Sequence, residues 1–134
     1  MNCSKFYRFP YLADHGQHEK VRAIHHYLHS KNYIISPITT DSKDFMFNQL
    51  LLSVPENKRR QYLHTLKDSY LAFIWEQTLH AEEQIIASKK ANPTQILLIH
   101  ANLLNAYVLG DIIQLYRDHG FRFVSLQEAL KDAI

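Results

Sequence analysis

The stretch Gln95–Asn102, Gln-Ile-Leu-Leu-Ile-His-Ala-Asn, constrains this chain more than any other. Four consecutive aliphatics follow the Pro93-Thr94 break and run straight into His100. A run this short, uniformly apolar and bounded by a turn signal predicts a strand buried on both faces. That is the pattern of a parallel sheet covered by helices. His100 then falls at the carboxyl end of the strand, where open α/β sheets and α/β barrels collect ligands and reactive groups.

The 134 residues suffice for one domain with a real core, and we expect a single domain over 1–134. A formal charge of +2 is too small to argue for nucleic acid or an anionic membrane surface. No apolar run is long enough to span a bilayer, so no membrane partner is expected. Met1–Ser4 and the residues after them form no hydrophobic signal segment, and the compartment stays open. The single cysteine, Cys3, allows neither an internal disulfide nor a thiolate metal cluster. Nine histidines are many for this length.

Lys5–Phe9 alternates large apolar with polar residues and predicts a short strand that Pro10 ends. Gln17–Ser30 predicts a helix, with Val21, Ile24 and Leu28 on one face. A second strand, Tyr33–Thr39, is interrupted by Pro37. Asp41 or Ser42 is expected to cap a helix over Phe45–Leu52. A long helix runs from Pro55-Glu56 to about Lys90, its apolar face Leu63, Leu66, Tyr70, Ile74, Ala81 and Ile85. The third strand is Gln95–Ile99. A helix over Leu103–His119 buries Leu104, Val108, Ile112 and Leu115 and is stopped by Gly120. Phe121–Val124 predicts a fourth strand, and Ser125 with Glu128 forms a capping box for a last helix, Leu126–Ala133.

Strand–helix repeated four times predicts parallel strands with right-handed crossovers. The expected fold class is therefore α/β, a partial (β/α) barrel of about four parallel strands alternating with helices. It would be half of the usual barrel, lacking the N-terminal half. Such a half leaves sheet edges open. The chain reads as complete at its C-terminus and cut at its N-terminus.

Polar clusters follow three strand ends: Arg8 with Pro10-Tyr11, Asp41 with Asp44-Phe45, and His100. In a parallel sheet these ends share one rim. A carboxylate beside an imidazole favours the protonated ring, and an arginine can orient another carboxylate. The set suits a general acid with a charge-positioning group.

At these residues the sequence resembles the polysaccharide deacetylases, metal-dependent carbohydrate esterases that remove acetyl groups from chitin, peptidoglycan or xylan. Arg8-Phe9-Pro10-Tyr11 is similar to the family's arginine–proline–aromatic motif. Asp41-Ser42-Lys43-Asp44-Phe45 is similar to Asp-x-x-Asp-Trp, and Leu98-Ile99-His100 to Leu-x-His. The ending Gly120–Leu126 also resembles the family's last strand and helix. The resemblance implies that Arg8 holds the catalytic-base aspartate and that the Tyr11 backbone N–H helps stabilise the oxyanion. Asp44 would pair with His100, and protonated His100 would act as general acid toward the departing amine. Leu98 and Phe45, with Pro10 beside them, would shape the pocket for the acetyl methyl. Phe45 stands where the family has tryptophan and lacks the indole N–H.

In the family, Thr-Phe-Asp-Asp and His-x-x-x-His precede the arginine motif and supply the base and the metal ligands. Only seven residues precede Arg8. The resemblance is thus to the C-terminal half, with no metal ligand assigned in this chain. A zinc-like divalent ion is expected only in full-length relatives, and the chain alone is expected to be inactive. Thr39-Thr40-Asp41 echoes the first motif in the wrong place. His25 and His29 have the metal spacing but lie within a helix, where a solvated polar face is the simpler reading. His64 and His80 read as surface residues. The expected partners are an acetylated saccharide and a second copy or a missing N-terminal half. The alternative is a non-catalytic remnant serving as a binding or interaction module.

Overall fold

The computed structural model describes residues 5–10, 18–89 and 94–131. By its contacts the chain divides into two units, Met1–Pro37 with Leu130–Ile134, and Ile38–Ala129.

In the first unit, strand β1 (Lys5–Tyr7) pairs in parallel with β2 (Tyr33–Ile35), Lys5 opposite Tyr33 and Tyr7 opposite Ile35. Helix α1 (His18–Ser30) joins them, as a parallel pair requires. Asn32 closes α1 in the left-handed conformation, φ 62°, which asparagine tolerates better than most residues. Phe9 and Leu28 are buried here, and the Phe9 ring stacks on His25 with centroids 5.6 Å apart. Of the expected stripe Val21, Ile24 and Leu28, only Leu28 is fully buried, and Ile24 is exposed.

The second unit is built on helices. After β3 (Thr40–Asp41) come α2 (Asp44–Ser53), a 3-10 turn over Glu56–Lys58 and α3 (Arg59–Ala87). Then follow β4 (Leu97–Leu98), α4 (Leu103–Asp118) and the short α5 (Leu126–Ala129). The 29-residue α3 buries Leu66, Tyr70, Ile74, Thr78 and Ala81, spaced by four, four, four and three. Residues so spaced lie on one face of a helix. Against that face α4 sets Leu104, Val108, Ile112 and Tyr116, and α2 adds Leu51, completing the core. Gly120, at φ 82°, terminates α4, and Phe121 N–H returns to Tyr116 O at 3.0 Å.

The expected partial barrel is not what forms. The described chain is 66% helix and 9% strand, in two separate two-stranded parallel sheets, β1–β2 and β3–β4. Several local causes are visible. The run expected to be one strand from Tyr33 to Thr39 is broken at Pro37, and the division between the units falls immediately after it. On entering β4, Ile96 N–H donates to the Thr39 hydroxyl at 2.8 Å. Side-chain bonds of this kind take backbone groups from a ladder. Residues 121–124 form no strand: their start is tied to the end of α4, and the rings of Phe121 and Phe123 pack edge-on against Tyr116.

Candidate functional site

The second unit brings Asp44 and His100 together. Asp44 opens α2. The turn before it is set by side chains: Asp41 Oδ1 accepts from Lys43 N–H at 3.0 Å, and Ser42 Oγ from Asp44 N–H at 3.3 Å. Between them Lys43 takes a left-handed conformation, φ 52° and ψ 30°, and its ammonium lies 3.3 Å from Asp41 Oδ2. Asp41 and Ser42 thus shape the approach, whereas the capping position itself is Lys43, without a side-chain cap. The result drives the Asp44 carboxylate inward.

Asp44 is 1% exposed and His100 60% exposed. Asp44 Oδ1 lies 2.9 Å from His100 Nδ1. Asp44 Oδ2 accepts from His100 N–H at 2.5 Å, Asn105 Nδ2 at 2.8 Å and Asn102 Nδ2 at 3.3 Å. A buried carboxylate is tolerable when its lone pairs are taken up in this way. Because the carboxylate can only accept, Nδ1 carries the ring proton, and Nε2 is the ring nitrogen left for chemistry.

The start of α4 supplies the other partners. Asn102 is its N-cap and accepts from Asn105 N–H at 2.9 Å, while Asn48 of α2 accepts from Leu104 N–H at 3.0 Å. Asn105 donates a second bond to His100 O at 2.8 Å and accepts from the Tyr70 hydroxyl at 2.8 Å. Asn102, Asn105 and Tyr70 are absent from the sequence-based site. The signal for the asparagines was the spacing Asn102-x-x-Asn105, which offers a cap and a polar group on the same face as Leu104 and Val108.

Burial pushes the Tyr70 hydroxyl up from 10.0 to about 12; the Ser42 and Asn105 hydrogen bonds oppose the rise and the Asp44 charge adds to it. Burial also raises Tyr116, with a hydrogen bond to Thr78 opposing. Thr78 Oγ1 spends its hydrogen on Ile74 O, so Tyr116 is the donor in their 2.7 Å contact. A folded-state value above the unfolded one gives a contribution that is intact below pH 10.0 and lost as pH rises toward about 12. In urea titrations, wild-type stability is expected to fall through that window by an extra ~2–3 kcal/mol relative to Tyr70→Phe. Parallel curves for the two proteins above pH 10 would contradict it.

The remaining expected site residues fall as follows. Phe45 is exposed on α2 and Leu98 is buried in β4, both in the second unit. Arg8 and Pro10 belong to the first unit. There Arg8 Nη2 donates to Ser36 Oγ at 3.2 Å, and its buried Nε has no hydrogen-bond partner among the described residues. Tyr11 lies outside the described residues, as does His15. His64 and His80 are exposed on α3.

Around His100 the described residues do not fit a divalent metal. Asp44 is buried with both oxygens engaged, and no group of three or more His, Cys, Asp or Glu among the described residues is placed to hold one. A separate cleft of about 700 Å³ opens beside β4, lined by Leu97, Ile99, Ile112, Phe121 and Phe123 among others, with neither Asp44 nor His100 in its wall. Comparison with protein families, with curated proteins and with solved structures finds no match.

Proposed function

We propose that this chain supplies the general-acid part of a carbohydrate deacetylase, a hydrolase that removes acetyl groups from a saccharide. The observation that carries the reading is the Asp44–His100 pair, a buried carboxylate holding Nδ1 of an exposed imidazole at 2.9 Å. Hydrolysis of an acetamide passes through a tetrahedral adduct whose C–N bond breaks only as the amine takes up a proton. In its protonated form His100 presents Nε2–H to solvent, while Asp44 stabilises the imidazolium and fixes the ring. After transfer the ring is neutral and keeps Nδ1–H on Asp44.

The base and the metal ligands would come from residues outside this sequence, and the chain alone is expected to release no acetate. The test measures acetate freed from N-acetylated chitooligosaccharide and O-acetylated xylan, with added zinc, by the chain and by the product of the whole coding region. Acetate release by the latter, lowered about 10²–10⁴-fold in His100→Ala, is the expected result. Release indifferent to His100 would overturn the reading. A coding region without either motif, and no release, would favour the alternative of an interaction module, to which the apolar cleft beside β4 lends itself.

A further inference from the structure

We propose that Asn105 is a positioning residue that fixes the His100 ring by clamping its carboxylate partner and its backbone together, with Tyr70 as the anchor. The proposal rests on the reading of His100 as the general acid, and it names a residue that reading does not require.

Asn105 is 5% exposed, and all three of its amide contacts are within the protein. Its Nδ2 has two hydrogens and two acceptors, Asp44 Oδ2 at 2.8 Å and His100 O at 2.8 Å. Its Oδ1 faces the Tyr70 hydroxyl at 2.8 Å. The amide cannot be turned over, because that would set its oxygen against a carboxylate and a carbonyl. One planar group therefore ties α2, the β4–α4 connection and α3. Asp44 touches the ring and Asn105 does not; Asn105 acts through Asp44 and through the main chain of His100.

Without Asn105, Asp44 Oδ2 keeps only His100 N–H and the longer bond from Asn102. The carboxylate gains freedom to rotate, and the carbonyl of His100 loses the amide that holds it. Both changes loosen the Nδ1–H bond that selects the ring tautomer.

The test reads that tautomer directly. Nitrogen-15 spectra of the whole chain, without saccharide and at a pH where imidazoles are neutral, give the ratio of Nδ1–H to Nε2–H for each histidine. His119 is an internal control, since its Nδ1 lies 2.8 Å from Leu115 O in the same unit and outside this network. Wild-type His100 should be mainly Nδ1–H. Asn105→Ala is expected to lower its ratio roughly tenfold, as loss of a charge-assisted bond allows. Tyr70→Phe should move it the same way by less, with His119 unmoved. A His100 that keeps Nδ1–H in both variants would overturn the proposal and leave Asn105 with a merely structural role. If Asn105→Ala does not fold, Tyr70→Phe decides alone: a shift supports the clamp and no shift overturns it. Failure of the deacetylase reading would show in acetate release and not in these spectra.

Discussion

Asp44→Ala is expected to lower the unfolding free energy by about 3 kcal/mol or more, while Asp44→Asn costs about 1–2 kcal/mol. The alanine removes the acceptor for His100 N–H, for Asn105 Nδ2 and for Asn102 Nδ2 at one stroke. Donors orphaned in a buried site carry their whole desolvation cost, and Asn105 at 5% exposure has little access to water. The asparagine variant has one arrangement that spares them. Its carbonyl takes the place of Oδ2 before the three donors, and its amide takes the place of Oδ1 before His100 Nδ1. To accept from that amide the neutral ring must move its proton to Nε2. Asp44→Asn should therefore keep most of the stability and invert the tautomer of His100, leaving Nε2 as an N–H in the neutral ring. Urea unfolding gives the first quantity and nitrogen-15 spectra the second. Equal stability losses in the two variants would show that the hydrogen bonds to Oδ2 do not hold the site.

The second large effect concerns the packing of α4 on α3. Leu104→Ala is expected to cost about 2–5 kcal/mol, because it empties a fully buried position at the centre of the core. Leu109→Ala, five residues along the same helix and 43% exposed, is expected to cost well under about 1 kcal/mol. The pair controls for helix propensity, since both replace leucine by alanine within α4. Chemical unfolding followed by the fluorescence of Trp75, whose ring stacks on His119 at 3.7 Å, reports on the same unit. Similar losses at the two positions would mean that the face bearing Leu104, Val108 and Ile112 is not what holds α4 in place.

The helices were largely legible. The expected helix over Leu103–His119 is α4, Leu103–Asp118, and the long stretch from Pro55 resolves into a 3-10 turn followed by α3. Ser125 Oγ accepts from Glu128 N–H at 3.1 Å, one half of the expected capping box, while the Glu128 carboxylate lies 3.6 Å from Arg122 Nη2 and α5 spans only Leu126–Ala129. These features depend on neighbours three or four residues away, which a sequence displays directly. Even so, the expected face of α4 has Leu115 where Tyr116 is the residue buried, and the expected face of α3 lacks Thr78. A polar residue belongs in a core only when a distant partner meets it, and Tyr116 is 38 positions from Thr78.

Strands were less legible for the same reason. The β-branched and aromatic content of 121–124 suits a strand, yet those residues pack on the end of α4 instead. A strand exists only with a partner beside it, and its partner is chosen by long-range packing. By itself the sequence determined the helices, most of the apolar faces of α3 and α4 and the residue types able to do acid–base chemistry, because those follow from local periodicity and side-chain chemistry. The resemblance implies the pairing of Asp44 with His100, 56 positions apart; only the tertiary structure decided which strands pair and that Asn105 and Tyr70 stand behind that couple. Those contacts join groups remote along the chain, and their free energy depends on burial that no local pattern records.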